Sequence, residues 1–348
     1  MTGILALILD LLVTAVTIGL LVFIVLEQIE FTPSSEEEFS PTVSIIIPTR
    51  GLDEKWEGNV ESFRHLDYDN KYEVLYVVDA DDPETCRALQ AKGCKVIISR
   101  DLGYACGGKV LAQINGLLAT HSDAVVFADS DIVVEKSWLK EMVKPLVNHD
   151  GVTTFSWPRP TGFGLRNALR AGFWLSGYDG HASMRGFLWG GSMAFKRETT
   201  NQEFIDYLKD KIYDDVSITH YIKGKGGKLC FNGRAICYNV YEEQHFIEWS
   251  TRLALVVRRF EPIVAGVFFL GALGIVSSIV LGVALGSIAF LLPLAVWWLK
   301  GFLISLRLRT VSIAIPTASL ASLFVVFALL IATLGTKKVS WRGKGYPI

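Results

Sequence analysis

Two aspartates separated by one serine stand at the end of an apolar run, in the segment AVVFADSDIVV (124–134). Residues two apart in an extended segment face the same side, so Asp129 and Asp131 could address one ion while Ser130 points elsewhere. Mg²⁺ usually takes one or two carboxylates together with phosphate oxygens and water. An acidic turn after a buried strand is the commoner meaning of such a pair. The pair alone therefore leaves a metal site and a turn both open.

Two more predicted strands end in segments of similar character. PTRG (48–51) follows the β-branched run 42–47, and Asp79 and Asp81 end the apolar run 73–82. In doubly wound sheets, ligands bind outside the carboxyl ends of the strands. Three such segments at one edge favour a shared binding site over three unrelated acidic turns.

Lys109 follows two glycines in ACGGKV, at the start of the predicted helix 108–120. Glycine gives access to the backbone, a helix start favours an anion, and lysine adds a positive charge. The segment lacks the spacing of the nucleotide-binding phosphate loop, and a solvated lysine explains it equally well. Beside a metal site it indicates a diphosphate.

Two further segments each have a functional and a structural interpretation. Gly190 and Gly191 precede the strand-like SMAF, where a tight turn would also explain them. Asp214 and Asp215 open a predicted helix in YDDVSITHYI, where helix capping is the safer interpretation of an acid. Residue types alone do not decide either case.

Strand and helix patterns alternate through the middle of the chain, which predicts a parallel, doubly wound α/β sheet. The strand runs are almost continuously apolar, as expected for a sheet covered on both faces. The predicted strands are 42–47, 73–82, 94–99 and 124–131, and the predicted helices are 57–66 and 108–120.

Both ends of the chain are strongly apolar. The run 3–26 predicts a retained membrane anchor, because no Lys or Arg precedes it and no small-residue cleavage site follows it. Beyond Pro262 we predict spans over 263–281, 284–299 and 311–334, with an interfacial helix over 300–310.

Charge in the loops predicts the orientation in the membrane. The basic 300–310 segment places the polar middle of the chain on the cytoplasmic side of an integral, multi-pass membrane protein. In a prokaryote this membrane would be the cell membrane. The basic tail also favours the cytoplasm, although one anchor and three later spans would put it opposite, so its side stays open.

Composition excludes some classes of function. Basic and acidic residues are nearly balanced, at 34 and 35, which argues against a nucleic-acid binder that relies on a basic surface. The 5 cysteines form no C-x-x-C pair, so free thiols in a reducing compartment are expected rather than a zinc site. A single acid within the apolar runs and no evident inverted repeat argue against a transporter. The set of acids described above argues against a non-catalytic scaffold or binding module.

Seven motifs occur in an order that resembles the family-2 glycosyltransferases, over roughly residues 42–260. The chain is most similar to the ceramide-glucosyltransferase-like branch, whose members are membrane-anchored. The motifs are IIIPTRG, YEVLYVVDADD, GGK, VVFADSDIVVEKSWLKEMV, WGGSMAF, YDDVSITHYI and FIEWSTRLALVVRRF.

The resemblance implies a GT-A fold, a nucleotide-sugar donor that is often UDP-linked, and a divalent cation, Mg²⁺ or Mn²⁺. Asp79 would contact the base or ribose with Asp81 nearby, Asp129 and Asp131 would address the metal and diphosphate, and Asp215 would be the catalytic base. The implied donor site comprises Pro48, Asp79, Asp81, Lys109, Asp129, Ser130, Gly190, Gly191, Asp214, Arg252, Arg258 and Arg259.

One segment departs from the family pattern. The family has Q-x-x-R-W, or a related spacing, on a helix at the membrane, whereas this chain reads STRLALVVRRF. Arg252, Arg258 and Arg259 are present, but Leu253 stands where the glutamine is common and Phe260 replaces the tryptophan. The contacts of these arginines with a donor therefore stay open.

The expected organisation is an anchored catalytic domain. It consists of an anchor (1–28), a linker (29–41), a cytoplasmic GT-A domain (42–260) with an Arg-rich helix near 246–260, a membrane region (261–336) and a basic tail (337–348).

We expect an inverting, metal-dependent transfer of a sugar from a nucleotide sugar to a membrane lipid. A processive polysaccharide synthase and a polyprenyl-phosphate glycosyltransferase are the alternatives. The expected partners are the donor, the lipid acceptor and the bilayer, without nucleic acid, and the oligomeric state stays open.

Overall fold

The structure is a computed structural model that describes residues 2–29, 39–53, 55–162, 164–184, 186–307, 314–336, 338–341 and 344–347. The chain divides into two compact units. The sheet unit comprises Glu30–Trp157 and Met184–Val240, and the helical unit comprises Met1–Ile29, Pro158–Ser183 and Tyr241–Ile348. This grouping differs from the predicted domain 42–260, because Pro158–Ser183 and the Arg-rich helix belong with the apolar helices.

The helices in chain order are α1 (Thr2–Ile29), α2 (Trp56–Ser62), α3 (Pro83–Ala91), α4 (Gly108–Leu118), α5 (Trp138–Val143), α6 (Leu165–Met184), α7 (Gln202–Leu208), α8 (Asp214–Gly224), α9 (Phe246–Phe260), α10 (Pro262–Leu285), α11 (Leu292–Arg307) and α12 (Ala314–Ala332). The strands are β1 (Val43–Thr49), β2 (Tyr72–Asp79), β3 (Lys95–Ser99), β4 (Ala124–Ala128), β5 (Ile132–Val134), β6 (Gly151–Thr153), β7 (Trp157–Pro160), β8 (Ser192–Lys196), β9 (Leu229–Phe231), β10 (Cys237–Tyr241), β11 (Lys338–Trp341) and β12 (Lys344–Pro347).

The main sheet has seven strands in the order β3-β2-β1-β4-β8-β6-β9. Strand β1 lies between β2 and β4 and pairs in parallel with both. Ile45, Ile46 and Ile47 of β1 are 0% exposed, and every residue of β4 is buried. The continuous β-branched runs therefore form strands covered on both faces, and the predicted α/β fold with a parallel-rich sheet is confirmed.

Strand β8 differs from the expected parallel arrangement, because it runs antiparallel to both β4 and β6. Its first residue, Ser192, pairs with the last residue of β4, Ala128. The start of an antiparallel strand lies beside the end of its neighbour. The glycines that precede β8 are thus brought to the edge where the acids follow β4.

Helix α4 covers one face of the sheet and carries Lys109 in its first turn. Its apolar residues Val110, Ile114 and Leu117 are 0% exposed and belong to the same core as Ile46. A Cβ on Gly116 would lie 2.4 Å from Cγ2 of Ile46, so glycine permits the close approach of α4 to β1.

The strand predicted over 124–131 is shorter, because pairing in β4 ends at Ala128. Asp129, Ser130 and Asp131 form a turn that leads into β5, which pairs antiparallel with β10. A three-stranded sheet has the order β5-β10-β7. The two acids thus lie on a turn rather than along an extended strand.

Among the residues that the structure describes, the helical unit contains three helices that are long and apolar enough to cross a membrane, over Leu7–Leu26, Pro262–Leu285 and Ile288–Leu306. A shorter apolar helix covers Pro316–Ala332. Helices α6 and α12 approach closely, since a Cβ on Gly172 would lie 1.9 Å from the carbonyl oxygen of Ala318. The length and composition of these helices agree with the predicted flanking spans.

The region after 284 differs from its predicted division. Residues 300–307, expected to belong to an interfacial helix, continue α11, and residues 308–313 lie outside the described residues. The reason is visible at Lys300, which is 2% exposed and places its ammonium 4.1 Å from the centre of the Trp297 ring. The cation is covered by an aromatic side chain instead of facing water.

Candidate active site

The acidic turn after β4 is fixed by backbone and amide contacts. The N–H of Asp129 donates to the carbonyl of Gly191 at 3.1 Å. Asn59 of α2 donates its Nδ2 to the carbonyl of Ser130 at 2.9 Å, and Asn239 of β10 donates to Oδ2 of Asp131 at 3.2 Å. The predicted metal pair is therefore anchored by three separate elements of the sheet unit.

Lys109 joins this turn to the start of α8. Its Nζ lies 2.7 Å from Oδ1 of Asp129 and 3.0 Å from Oδ2 of Asp214, and it donates to the carbonyl of Gly190 at 3.0 Å. Burial alone would lower the pKa of Lys109, but Asp129 and Asp214 raise it and the net shift is upward. Lys109 therefore carries a full positive charge between two carboxylates.

Glycines permit the close approach of these elements. A Cβ on Gly190 would lie 3.1 Å from both Oδ2 of Asp214 and Nζ of Lys109. A Cβ on Gly107 would lie 2.4 Å from the carbonyl oxygen of Ile212, and the N–H of Gly107 donates to the carbonyl of Lys211 at 2.9 Å. Gly107 and Gly190 are thus explained by packing at this site, whereas a Cβ on Gly191 would meet the ring of Trp189.

Asp214 is 8% exposed and accepts two donors on the same oxygen. Besides Lys109, the Nε2 of Gln113 donates to its Oδ2 at 2.8 Å. Gln113 lies four residues after Lys109 on α4 and is 0% exposed. Two successive turns of α4 therefore contact the first residue of α8.

Asp215, the predicted base, has a pKa raised to about 7. Burial is the main cause and the neighbouring Asp214 is the second, while Lys109 and the backbone N–H groups of Val216 and Gly190 oppose the shift. The N–H of Val216 donates to its Oδ1 at 2.8 Å. The carboxyl group is thus balanced between its two protonation states near neutral pH.

Asp129 shows the crowding expected of a cation site. Its pKa is raised to about 6 by burial and then by Asp131 and Asp214, against the effect of Lys109. Two adjacent carboxylates match the preference of Mg²⁺ for one or two carboxylates plus phosphate oxygens and water. In the described part of the chain, no three His, Cys, Asp or Glu side chains form a metal-binding group. The two carboxylates of Asp129 and Asp131 fit a cation that takes its other ligands from a bound phosphate and water.

The acids after β2 pair with an arginine that sequence reasoning did not select. Arg50, at the end of β1, donates to Oδ2 of Asp79 at 2.6 Å and lies 3.0 Å from Oδ2 of Asp81. Pro48 pairs with Val77 within the parallel ladder of β1 and β2. The expected clustering of these segments at one edge is confirmed by the register of the strands.

The three arginines of the Arg-rich segment lie on α9, in the helical unit. Arg258 donates from Nη1 to the carbonyl of Thr333 and from Nη2 to that of Thr336, the latter at 3.1 Å. These carbonyls lie just past the end of α12, where a cation is favourable. Arg259 is exposed and Arg252 is half-buried. Their contact with a donor stays a prediction.

Four site residues were missed from the sequence: Arg50, Asn59, Gln113 and Asn239. Only Gln113 had a local signal, because a polar residue four positions after Lys109 faces the same side of a helix. The others come from distant elements, and their contacts depend on the fold.

Comparison with known proteins gives a family match over residues 9–348, to Glycosyl transferase family 21. Among solved structures, the mannosyltransferase PcManGT from Pyrobaculum calidifontis, in complex with GDP-Man and Mn²⁺, is 18% identical. The alignment covers 93% of this chain and 99% of that one, with a TM-score of 0.47. Glucosyl-3-phosphoglycerate synthase from Mycobacterium tuberculosis, with Mn²⁺, UDP and phosphoglyceric acid, is 17% identical over 64% and 79% of the two chains, with a TM-score of 0.39. Similarity of this extent identifies neither a donor nor an acceptor for this chain.

Proposed function

The chain belongs to glycosyl transferase family 21 and is a glycosyltransferase, and we propose that it moves a sugar from a UDP-sugar to a membrane lipid. The transfer inverts the anomeric carbon. The observation that carries the proposal is the single cluster in which Lys109 contacts both Asp129 and Asp214, next to Asp215. The cluster combines a cation for a diphosphate, a pair of acids for a metal, and a base.

Lys109 is the group suited to the leaving diphosphate. Breaking a sugar–phosphate bond leaves negative charge on the departing phosphate, and fixed cations stabilise that charge. Its Nζ is positioned by three oxygens, of Asp129, Asp214 and Gly190, and would exchange one of these contacts for a phosphate oxygen when the donor binds. Asp129 and Asp131 would hold Mg²⁺ or Mn²⁺, which would neutralise the diphosphate when bound.

Asp215 is proposed as the base that takes the proton from the acceptor hydroxyl. A pKa of about 7 suits this role, and general base catalysis typically contributes about 10²–10⁴-fold. One base on the face opposite the leaving group gives direct displacement with inversion. A second carboxylate acting as nucleophile, as in retaining glycosidases, is not required.

The remaining predicted contacts complete the donor site. Asp79 would bind the base or ribose, with Asp81 nearby and Arg50 orienting both acids. Their position after β2 supports this, because ligands of such sheets bind outside the carboxyl ends of the strands. Pro48, Ser130, Gly190 and Gly191 would line the donor through their backbone.

The lipid acceptor is supported by the candidate spans of the helical unit. Spans at both ends of the chain would keep the enzyme at the bilayer, where a lipid hydroxyl is available.

The sheet unit is proposed to lie on the cytoplasmic side of the membrane. Glu198, whose side chain is 79% exposed, offers a test. A cysteine placed there should react with a membrane-impermeant maleimide in inside-out vesicles and not in right-side-out ones, and the opposite pattern would refute the sidedness.

A donor panel tests the function. Purified enzyme is incubated with labelled UDP-glucose, UDP-galactose, UDP-N-acetylglucosamine and GDP-mannose and with vesicles containing ceramide, diacylglycerol or a polyprenyl phosphate. We expect one singly glycosylated lipid by mass spectrometry, absent from Asp215→Asn. Long polymer would support a polysaccharide synthase, a glycosylated polyprenyl phosphate would support the other alternative, and wild-type activity in Asp215→Asn would refute the assigned base.

A further inference from the structure

Gln113 contacts a catalytic cluster from inside the protein core. It is 0% exposed, lies on α4 among the buried residues Val110, Ile114 and Leu117, and reaches Asp214 through its Nε2 at 2.8 Å. Lys109, one turn earlier, binds the same oxygen at 3.0 Å. The two side chains of α4 thus both contact one carboxylate oxygen, Oδ2 of Asp214.

The orientation of the Gln113 amide follows from its partner. The NH₂ group must face the carboxylate, because the amide oxygen would be repelled there. Its Oε1 is then left buried without a hydrogen-bond partner among the described residues. A buried acceptor without a partner is unfavourable, and a leucine or methionine in this apolar surrounding would avoid it. Leucine or methionine could not, however, donate an N–H to Asp214 as Gln113 does.

We infer that Gln113 is a positioning residue for sugar transfer, which holds the carboxylate of Asp214 in the orientation that keeps Lys109 between Asp214 and Asp129. The inference rests on the proposed function of this cluster. Gln113 touches neither donor nor acceptor in this assignment. It acts through Asp214, which is next in sequence to the base Asp215.

The charged groups around Asp214 explain why one hydrogen bond matters. Lys109 of α4, Asp129 at the end of β4 and Asp215 of α8 all face it or neighbour it. Without Gln113, Lys109 remains as the side chain that donates to Oδ2. Lys109 would have to neutralise Asp214 and Asp129 with less help, and its own position would relax.

The substitution Gln113→Glu makes the hydrogen bond donated to Asp214 depend on pH. A protonated glutamic acid donates a hydrogen bond to Asp214 as glutamine does, whereas an ionised glutamate donates none and repels Asp214. We expect kcat of Gln113→Glu to fall at least about tenfold relative to wild type as pH rises from 6 to 8.5. Wild-type kcat should rise over the same range as Asp215 loses its proton.

The substitution Gln113→Leu removes the hydrogen bond donated to Asp214 at every pH. We expect kcat to fall about 10- to 100-fold, which is the effect of losing one hydrogen bond to a charged group. The KM for the donor should change less than about threefold, since Gln113 does not contact the donor. Both variants are assayed with the nucleotide sugar and lipid that give product in the donor panel.

Asn115→Asp is the matched control. Asn115 is also a buried amide on α4, 7% exposed, but its contacts are Ser99, Arg100 and Leu111. We expect Asn115→Asp to lower thermal stability while the folded enzyme keeps the wild-type dependence of kcat on pH. A similar pH effect in both variants would assign the Gln113 result to a general loss of stability and overturn the inference.

A stability cycle tests the contact without any assay of activity. The unfolding midpoints of Gln113→Leu, Asp214→Ala and the double variant should be non-additive, because each single substitution removes the hydrogen bond that the two side chains share. Additive midpoints overturn the inference even if a variant is inactive. If the wild type is active and the Gln113 variants have the same kcat and pH profile as the wild type, the inference is also overturned. If the wild type is inactive with every nucleotide sugar in the panel, the proposed function is contradicted instead.

Discussion

The two units each contain a buried cluster of charge, and the clusters differ in their balance. In the helical unit, Arg170 bonds Glu243 at 2.8 Å, and its guanidinium lies 4.1 Å from the ring centre of Tyr241 and 4.6 Å from that of Trp249. One cation meets one anion, and the backbone N–H of His245 donates to the other carboxylate oxygen. This cluster is electrically complete.

The cluster in the sheet unit is not balanced in this way. Lys109 contacts both Asp129 and Asp214, Asp215 follows Asp214 in the chain, and the exposed Asp131 lies beside Asp129. The pKa values of Asp129 and Asp215 are raised to about 6 and about 7. Unbalanced buried charge is costly, and it is typical of sites that bind a charged ligand or move a proton. This difference supports assigning sugar transfer to the cluster of the sheet unit and a structural role to the ion pair of the helical unit.

Removal of divalent metal should have the largest effect. If Asp129 and Asp131 bind a cation that neutralises the diphosphate, excess chelator should reduce sugar transfer below detection, and Mg²⁺ or Mn²⁺ should restore it. The measurement is product formation after dialysis against chelator and after adding back each metal. Full activity in excess chelator would refute the claim that a divalent cation bound by Asp129 and Asp131 is needed for transfer.

Asp215→Asn should lower kcat by about 10²–10⁴-fold, because the amide cannot accept the acceptor's proton. The substitution keeps the size and the burial of the side chain, so the unfolding midpoint should not drop. The check is kcat together with a thermal unfolding curve. Activity within about threefold of wild type would mean that another group is the base.

Lys109→Met and Arg170→Met compare the two clusters directly. Each removes the cation of a buried pair, so each should destabilise the protein, by about 3–5 kcal/mol. Only Lys109→Met should also abolish sugar transfer, measured as kcat per folded molecule. Loss of kcat per folded molecule in Arg170→Met would show that the complete cluster also takes part in transfer.

Stability as a function of pH should show the smallest effect. The pKa of Asp215 is raised to about 7 in the folded protein, so between pH 4 and 7 the folded state binds more protons than the unfolded state. Stability then falls as pH rises through this window and levels off above it. Asp215→Asn removes that loss and should stabilise the metal-free protein by about 1–3 kcal/mol at pH 8, but little at pH 4. An equal shift at both values would contradict the raised pKa.

The sequence was sufficient to predict the sheet and the edge at which the acids after its strands meet. Apolar runs such as β1 and β4 are uncommon outside covered strands, and acids at their ends meet because parallel strands end together. Pairing direction is not encoded in such runs, so the antiparallel course of β8 was not predicted. Gln113 and Asn239 depend on contacts over long separations in sequence, which local patterns do not record.

The end of the chain shows a different reason for failure. Alternating apolar and basic residues over 300–310 are typical of an interfacial helix, yet Lys300 is buried against Trp297 within α11. An amphipathic pattern reveals which residues are charged but not which partner covers them. The cation–π contact with Trp297, one turn away, helps to cover a lysine that composition would place in water.

The antiparallel direction of β8 also determines where this chain could accept a change in length. The segment before β8 ends in Gly190 and Gly191 at the site, whereas the turn after Lys196 lies at the opposite end of the strand. One residue inserted between 186 and 190 would displace the glycines from Lys109 and Asp214. The same insertion at 198–200 would lengthen a turn at the opposite edge of the sheet. Natural variation in length should therefore be excluded from the first segment and accepted in the second.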